Sequence, residues 1–311
     1  VETRHIGELE VSIAGLGGNN FGRRLDAAGT HLVVEAALEA GVTLFDTADV
    51  YGDGVSEKLL SEALGPRKGD VVITTKFGMS KPPDGLTGGH PEWVRRACEQ
   101  SLRRLGIEAI DLYLLHQPDS ATPIGETLAA MNRLIQQGKV REVGCSNFSA
   151  AQLREAAAAA RERGLRGFAC VQNEFSLLER EPEREVLETC DALELAFVPF
   201  YPLTRGLLTG KYRAGLPPPA GARLTRSGDP ADEAFLRERL PVVERLAVFA
   251  ERRGHSLLEL ALSWLAGHRQ VASVIAGAMT PEQVKSNVAA IGAWRLSDEE
   301  LAQIDRLTSA T

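Results

Sequence analysis

Short aliphatic and β-branched runs alternate along the chain with longer stretches in which apolar residues recur every three or four positions. The short runs fall at 12–16, 43–45, 71–75, 110–115, 140–145, 168–172, 196–200 and 272–275, and each predicts a buried strand. The longer stretches fall at 31–40, 56–64, 92–105, 124–137, 150–163, 183–192, 256–266 and 281–291, and predict amphipathic helices. Strands that alternate with helices read as βαβ units around a parallel sheet. Eight such units predict an α/β fold of the closed (β/α)8 TIM-barrel type, with 1–311 as one domain.

Local signals support the boundaries. Ser149 is placed to cap a helix, and Thr280-Pro281 puts proline at a first helical position. Gly41, Gly138 and Gly164 stand where helices should stop. Residues 3–6 and 9–11, joined by Gly7-Glu8, predict an N-terminal β-hairpin placed to plug the bottom of the barrel. The stretch 203–234 is rich in glycine and proline and predicts a long loop over the barrel mouth. Additional helices are predicted after strand seven, at 235–253, and at the C-terminus, at 297–307, where Ser297 and Glu300 form a capping box.

Composition narrows the function classes. The 311 residues are 44% hydrophobic, enough for a large core without metal or disulfide staples. A net charge of -7 argues against nucleic-acid binding. No apolar run approaches the roughly 20 residues of a membrane span. Four scattered cysteines, Cys98, Cys145, Cys170 and Cys190, lack metal-ligand spacing and fit free thiols in a reducing cytoplasm. No metal is expected.

Barrel enzymes place their chemistry on the loops that follow the strands. Asp46 follows the second predicted strand, with Tyr51 in the next loop. Lys76 follows the third strand, His116 the fourth, and Ser146-Asn147 the fifth, while Gln172 ends the sixth. Taken singly, each has a structural explanation: aspartate caps helices, tyrosine packs, histidine satisfies a backbone group. Lys76 is harder to dismiss. Only seven of the 35 basic residues are lysine, and this one ends an apolar strand, where its ammonium must be paired.

One site accounts for all four of Asp46, Tyr51, Lys76 and His116. Carbonyl reduction delivers hydride to carbon and requires a proton for oxygen. Tyrosine, with a pKa of about 10, is protonated at neutral pH but is a slow acid. A neighbouring lysine is expected to lower that pKa, and a carboxylate to keep the buried lysine charged. Asp46 is the candidate carboxylate. His116 is placed to hydrogen-bond the carbonyl oxygen.

The segments GLGGNNFG, FDTADVYGDGVSE, ITTKFG, SLRRLGIEAIDLYLLHQPD, GKVREVGCSNFS, VQNEFSLLER, FYPLTRGLLTGKY and VIAGAMTPEQVKSN, in this order, resemble those of the aldo-keto reductases over nearly the whole chain. The connections around SEALGPRKGD, GCSNFS and GLLTGKY are similar to the bacterial and potassium-channel-β-subunit-like branch. The resemblance implies a barrel that binds NADP(H) across the strand ends. It implies a catalytic group of Asp46, Tyr51, Lys76 and His116, and a small-molecule aldehyde, ketone or sugar as substrate. Ser146, Asn147 and Gln172 match positions that hold the nicotinamide carboxamide. Phe200 falls where an aromatic ring stacks on the nicotinamide, with Tyr201 where serine is usual. Leu203, Gly206, Leu207 and Lys211 match the segment that wraps the pyrophosphate.

The adenosine end departs from the family pattern. The stretch from Gly277 to Asn287 reads GAMTPEQVKSN, with Met279 and Gln283 where a cation is common. Gln283 and Asn287 remain candidates for adenine contact, and Arg205 or Lys285 for the missing cation. NADP(H) is therefore expected, with NAD(H) use open. Phe21, Tyr51, Phe77, Met79 and His116 are expected to line the substrate mouth, and Trp93 and Trp264 to be core. Two other readings remain at this point. One is a redox-sensing NADP(H)-binding regulatory subunit with little turnover. The other is a Lys76 Schiff-base enzyme, which leaves Tyr51, Asn147 and Gln172 without tasks.

Overall fold

Side chains alternate between the two faces of a strand, and this sorts the strand residues into an inner and an outer set. The computed structural model describes residues 1–80, 84–86, 88–218, 222, 224–225 and 229–309. After a hairpin of β1 (Thr3–Ile6) and β2 (Leu9–Ser12), eight parallel strands follow: β3 (Ala14–Gly17), β4 (Leu44–Asp46), β5 (Val72–Phe77), β6 (Ile110–Leu115), β7 (Val140–Ser146), β8 (Cys170–Glu174), β9 (Ala196–Phe200) and β10 (Val274–Gly277). They pair in the order β10-β3-β4-β5-β6-β7-β8-β9. The ring is nearly closed: Phe197 N–H donates to Gln270 O at 2.7 Å, and Ala272 N–H to Phe197 O at 2.9 Å, just before β10.

The inner set forms a small apolar layer. Leu44, Val72, Leu112, Cys170 and Val198 pack with Ile6, Leu9 and Val11 of the hairpin. The hairpin thus plugs the barrel from the N-terminal side of the strands, where it was expected. Its turn needs Gly7, at φ 56°, because a Cβ there would stand 2.6 Å from the buried Glu142 carboxylate. Glu142 instead accepts the Glu8 N–H at 3.1 Å and the Arg166 guanidinium at 2.8 Å. The outer set, including Phe45, Ile73, Tyr113, Val143, Val171 and Phe197, joins the main core beneath the helices.

Those helices are α1 (Ala27–Glu39), α2 (Val55–Leu64), α3 (Pro91–Leu105), α4 (Ile124–Gln136), α5 (Ala150–Glu162), α6 (Val186–Leu193), α7 (Pro230–Glu251), α8 (Leu257–Ala266), α9 (Pro281–Ala290) and α10 (Asp298–Thr308). Two begin four or more residues earlier than the apolar periodicity predicts. The Asp26 side chain accepts the Gly29 N–H and starts α1 four residues before the expected His31. Asp229 caps α7 with Pro230 at its first position, ahead of the expected Phe235. The expected helix 183–192 is displaced, with a 3-10 turn at Glu181–Glu183 preceding α6. Within the expected mouth loop, Thr204–Thr209 forms a 3-10 turn, while 219–221, 223 and 226–228, Pro219 among them, lie outside the described residues. Trp93 and Trp264 are buried, and all four cysteines are buried and free. No helix among the described residues is long and apolar enough to cross a membrane.

Candidate active site

Continuing each inner series by two residues carries it out of the apolar layer and into a polar one. Leu44 leads to Asp46, Leu114 to His116, Cys170 to Gln172 and Val198 to Phe200. On β5, Val72 and Thr74 lead to Lys76. The strand period thus delivers one candidate side chain from each of these strand ends to one place.

The Lys76 side chain is fully buried and organises this layer. Its ammonium donates to both Asp46 carboxylate oxygens at 2.7 Å and to Thr47 O at 2.8 Å. Burial pulls the Lys76 pKa down, but the attraction of Asp46 and the Tyr51 oxygen outweighs it and leaves the value raised. The lysine is therefore a cation at neutral pH, as its pairing required. The ammonium lies 5.2 Å from the Tyr51 ring centroid, close enough for the phenol oxygen to act on the lysine. The Tyr51 and His116 rings meet edge to face at 5.9 Å.

Tyr51 departs from expectation. Burial raises its pKa above 10, and the Lys76 cation, which acts in the opposite direction, does not overcome it. Desolvation of the phenolate wins because Asp46, one neighbour away, spends part of the lysine's field. The phenol is firmly protonated. Burial, with help from Lys76, pushes the His116 pKa down to about 3, so its ring is neutral. Its Nδ1 is buried without a hydrogen-bond partner among the described residues.

Behind this group, Gln172 Nε2 donates to Asp46 Oδ1 at 3.0 Å, leaving its amide oxygen for other use. The Ser146 hydroxyl donates to Gln172 O at 2.7 Å. Asn147, in a left-handed conformation at φ 62°, donates through Nδ2 to His116 O at 2.9 Å. The three expected carboxamide residues are thus joined to each other and to Asp46 and His116.

A chain of contacts leads away from them. Phe200 ends β9, half-buried, with Tyr201 edge-on at 5.3 Å. At Gly206, φ 93°, an added Cβ would lie 3.0 Å from the Lys211 ammonium. An open backbone beside a cation fits a pyrophosphate. Leu203 is half-buried, and the Leu207 side chain is wholly in the core, so Leu207 offers only backbone.

Two expected mouth residues are corrected. Phe77 is fully buried and stacks on Tyr113 at 4.6 Å. Phe21 is 1% exposed and joins the same core. The alternation on β5 carried this signal for Phe77: if Lys76 points inward, its neighbour must point to the helices. Met79 remains at the active-site end and is exposed.

The Aldo/keto reductase family profile matches residues 14–309. The chain belongs to the aldo/keto reductase family. It is 35% identical to "Probable aldo-keto reductase 1" of Glycine max, over 88% of this chain and 77% of that one. It is 35% identical to "Probable voltage-gated potassium channel subunit beta" of Oryza sativa subsp. japonica, over 87% and 84%. It is 32% identical to "L-glyceraldehyde 3-phosphate reductase" of Escherichia coli O157:H7, over 93% and 86%. The solved structure of a glycerol dehydrogenase from Gluconobacter oxydans superimposes with a TM-score of 0.83 at 30% identity, covering 99% of this chain and 95% of that one. The chain is thus an oxidoreductase of a family that uses NAD(P)H and small-molecule carbonyl substrates.

The aldo/keto reductase site also contains residues that sequence reasoning missed. Glu57, fully buried on α2, accepts the Thr75 hydroxyl at 2.7 Å and pairs with Arg104 of α3. Asp49, in the same loop as Tyr51, is buried as well. Partners 47 residues apart, such as Glu57 and Arg104, leave no local signal.

Proposed function

We propose that this chain reduces aldehydes or ketones to alcohols, with Tyr51 as the proton donor. The observation that carries the reading is the buried Lys76 ammonium, held by Asp46 and set 5.2 Å from the Tyr51 ring centroid, with a neutral His116 against the same ring. A bound nicotinamide supplies the hydride. His116 Nε2 donates to the carbonyl oxygen and fixes its position. Tyr51 gives that oxygen its proton, and Lys76 stabilises the phenolate as it forms. Because Tyr51 begins firmly protonated, the lysine acts on the developing charge rather than on the resting state. Asn147 and the free Gln172 amide oxygen would orient the carboxamide, and Phe200 would stack on its ring.

Short hydroxyaldehydes such as glyceraldehyde are the proposed substrate class, by likeness to the E. coli reductase and the Gluconobacter dehydrogenase. Likeness to the rice channel subunit favours a redox-sensing role with little turnover. Steady-state oxidation of NADPH with 4-nitrobenzaldehyde and with glyceraldehyde separates the two. Enzymatic turnover at about 1–100 per second is expected, and cofactor binding without turnover would favour the sensor.

The proposed cofactor is NADP(H), with only a modest preference over NAD(H). Lys285 leans 3.8 Å from Glu39, and Arg205 pairs with Asp232 at 3.2 Å. Gln283 Oε1 accepts the Met279 N–H at 2.8 Å and so closes its own turn. One missing charge-assisted bond is worth about 1.5–3 kcal/mol, so the ratio of kcat/KM for NADPH to that for NADH should be about ten- to a hundredfold smaller than in a site that keeps the cation. Lys285→Ala should leave that ratio unchanged. A collapse of the ratio in this variant would place Lys285 on the adenosine phosphate.

A further inference from the structure

Asp49 stands between Asp46 and Tyr51, and the chemistry above gives it no task. Its residue exposure is 9%. Its backbone N–H donates to Lys76 O at 3.1 Å, so it belongs to the scaffold that holds both Tyr51 and the lysine. Its Oδ2 accepts the Ser80 hydroxyl at 2.7 Å. Its Oδ1 is buried with no hydrogen-bond partner among the described residues. An orphaned carboxylate oxygen is costly and calls for a reason.

The surroundings sharpen the point. Glu57 on α2 and Tyr113 on β6 face the same region, and neither welcomes a negative charge at Asp49. Arg104 on α3 is the cation that acts on it, and that guanidinium is engaged by Glu57 and Ser101. Burial pushes Asp49 up to about 6; the Ser80 bond opposes this and Glu57 adds to it. The group therefore titrates near neutrality.

Ser80 follows the exposed Met79 in the loop after β5, at the active-site end of the barrel. We propose that Asp49 is a positioning residue whose bond to Ser80 ties the Tyr51 segment to the loop at the substrate mouth, so that the ionised carboxylate holds the mouth in its substrate-binding form. The inference rests on the carbonyl-reduction reading. The bond is charge-assisted only while Asp49 is ionised. Protonation weakens the tie, and the loop carrying Met79 and Ser80 loosens.

The test uses the full-length protein as wild type, Asp49→Asn and Ser80→Ala. In wild type, KM for 4-nitrobenzaldehyde should rise about three- to tenfold as pH falls from 7.5 to 5.5, the worth of one such bond. The change in kcat should be smaller, and the Kd for NADPH should not change. Both variants should show the raised KM at every pH, with no inflection near 6. His116, neutral down to about 3, supplies no competing inflection in this window. Hydrogen exchange in the peptide containing Met79 and Ser80, corrected for intrinsic rate, gives a readout that needs no turnover. It should quicken as pH falls through 6 in wild type and be pH-independent in the variants.

Stability has the opposite sign. The Asp49 pKa is raised from 3.8 to about 6 on folding, so the folded state binds more protons between these values and stability falls as pH rises through them. Asp49→Asn should therefore keep or raise the melting temperature at pH 7.5, whereas a merely structural residue would lower it. An inflection that survives in Asp49→Asn, or wild-type exchange that ignores pH, overturns the proposal. Absent turnover with pH-dependent exchange would instead sink the carbonyl-reduction reading alone.

Discussion

Lys76→Met is expected to remove most turnover and much stability in one step. Methionine matches the length of the lysine stem but leaves the Asp46 carboxylate, itself 4% exposed, without its cation. Breaking a buried pair by deleting one partner costs about 3–5 kcal/mol. Gln172 Nε2 remains on Asp46 Oδ1 and puts the expected loss at the lower end of that range. Urea denaturation at pH 7.5 should show the drop directly. Turnover should fall by roughly 10²–10⁴-fold, the ordinary worth of a group that assists proton transfer. Among the described residues Lys76 is the cation that acts on the Tyr51 oxygen, and burial already raises the Tyr51 pKa. A variant that keeps its denaturation midpoint would show that Asp46 does not depend on the ammonium.

Tyr51→Phe should separate catalysis from folding. The substitution removes one oxygen from a half-buried ring that keeps its edge contact with His116. Stability should change by no more than about 1 kcal/mol, the worth of one hydrogen bond. NADPH affinity should be retained, because the proposed cofactor contacts lie at the ends of β7, β8 and β9, in the 203–211 segment and on α9. Turnover should fall by roughly 10²–10⁴-fold. Fluorescence titration with NADPH and initial rates with 4-nitrobenzaldehyde, on one preparation, check both halves. Wild-type rates would remove Tyr51 from the proton-donor role.

The parts of this site that could be read in the sequence share one physical cause. Strand side chains repeat every second residue, so a polar residue two positions beyond an inward apolar one announces itself. Asp46, His116 and Gln172 follow that rule, and Lys76 keeps the same period with Thr74 between it and the inward Val72. Phe77 obeyed it too and was misassigned because its proximity to Lys76 in sequence outweighed its opposite face. The starts of α1 and α7 were placed late because Asp26 and Asp229 act through a side-chain cap, ahead of any apolar periodicity. The direction of the Tyr51 shift was not legible at all. It depends on how burial balances against Lys76, and burial is a property of the whole barrel mouth. Asp49 was hidden for a similar reason, since its partner Ser80 lies 31 residues away on another loop.

Joint action of Tyr51 and Lys76 is the central claim, and a double-mutant cycle tests it most directly. Groups that act as a unit give grossly non-additive losses. The measurement is kcat for 4-nitrobenzaldehyde reduction by wild type, Tyr51→Phe, Lys76→Met and the double variant, at saturating NADPH. The account predicts that the double variant is about as slow as the worse single variant. Losses that multiply would show two independent residues and contradict it.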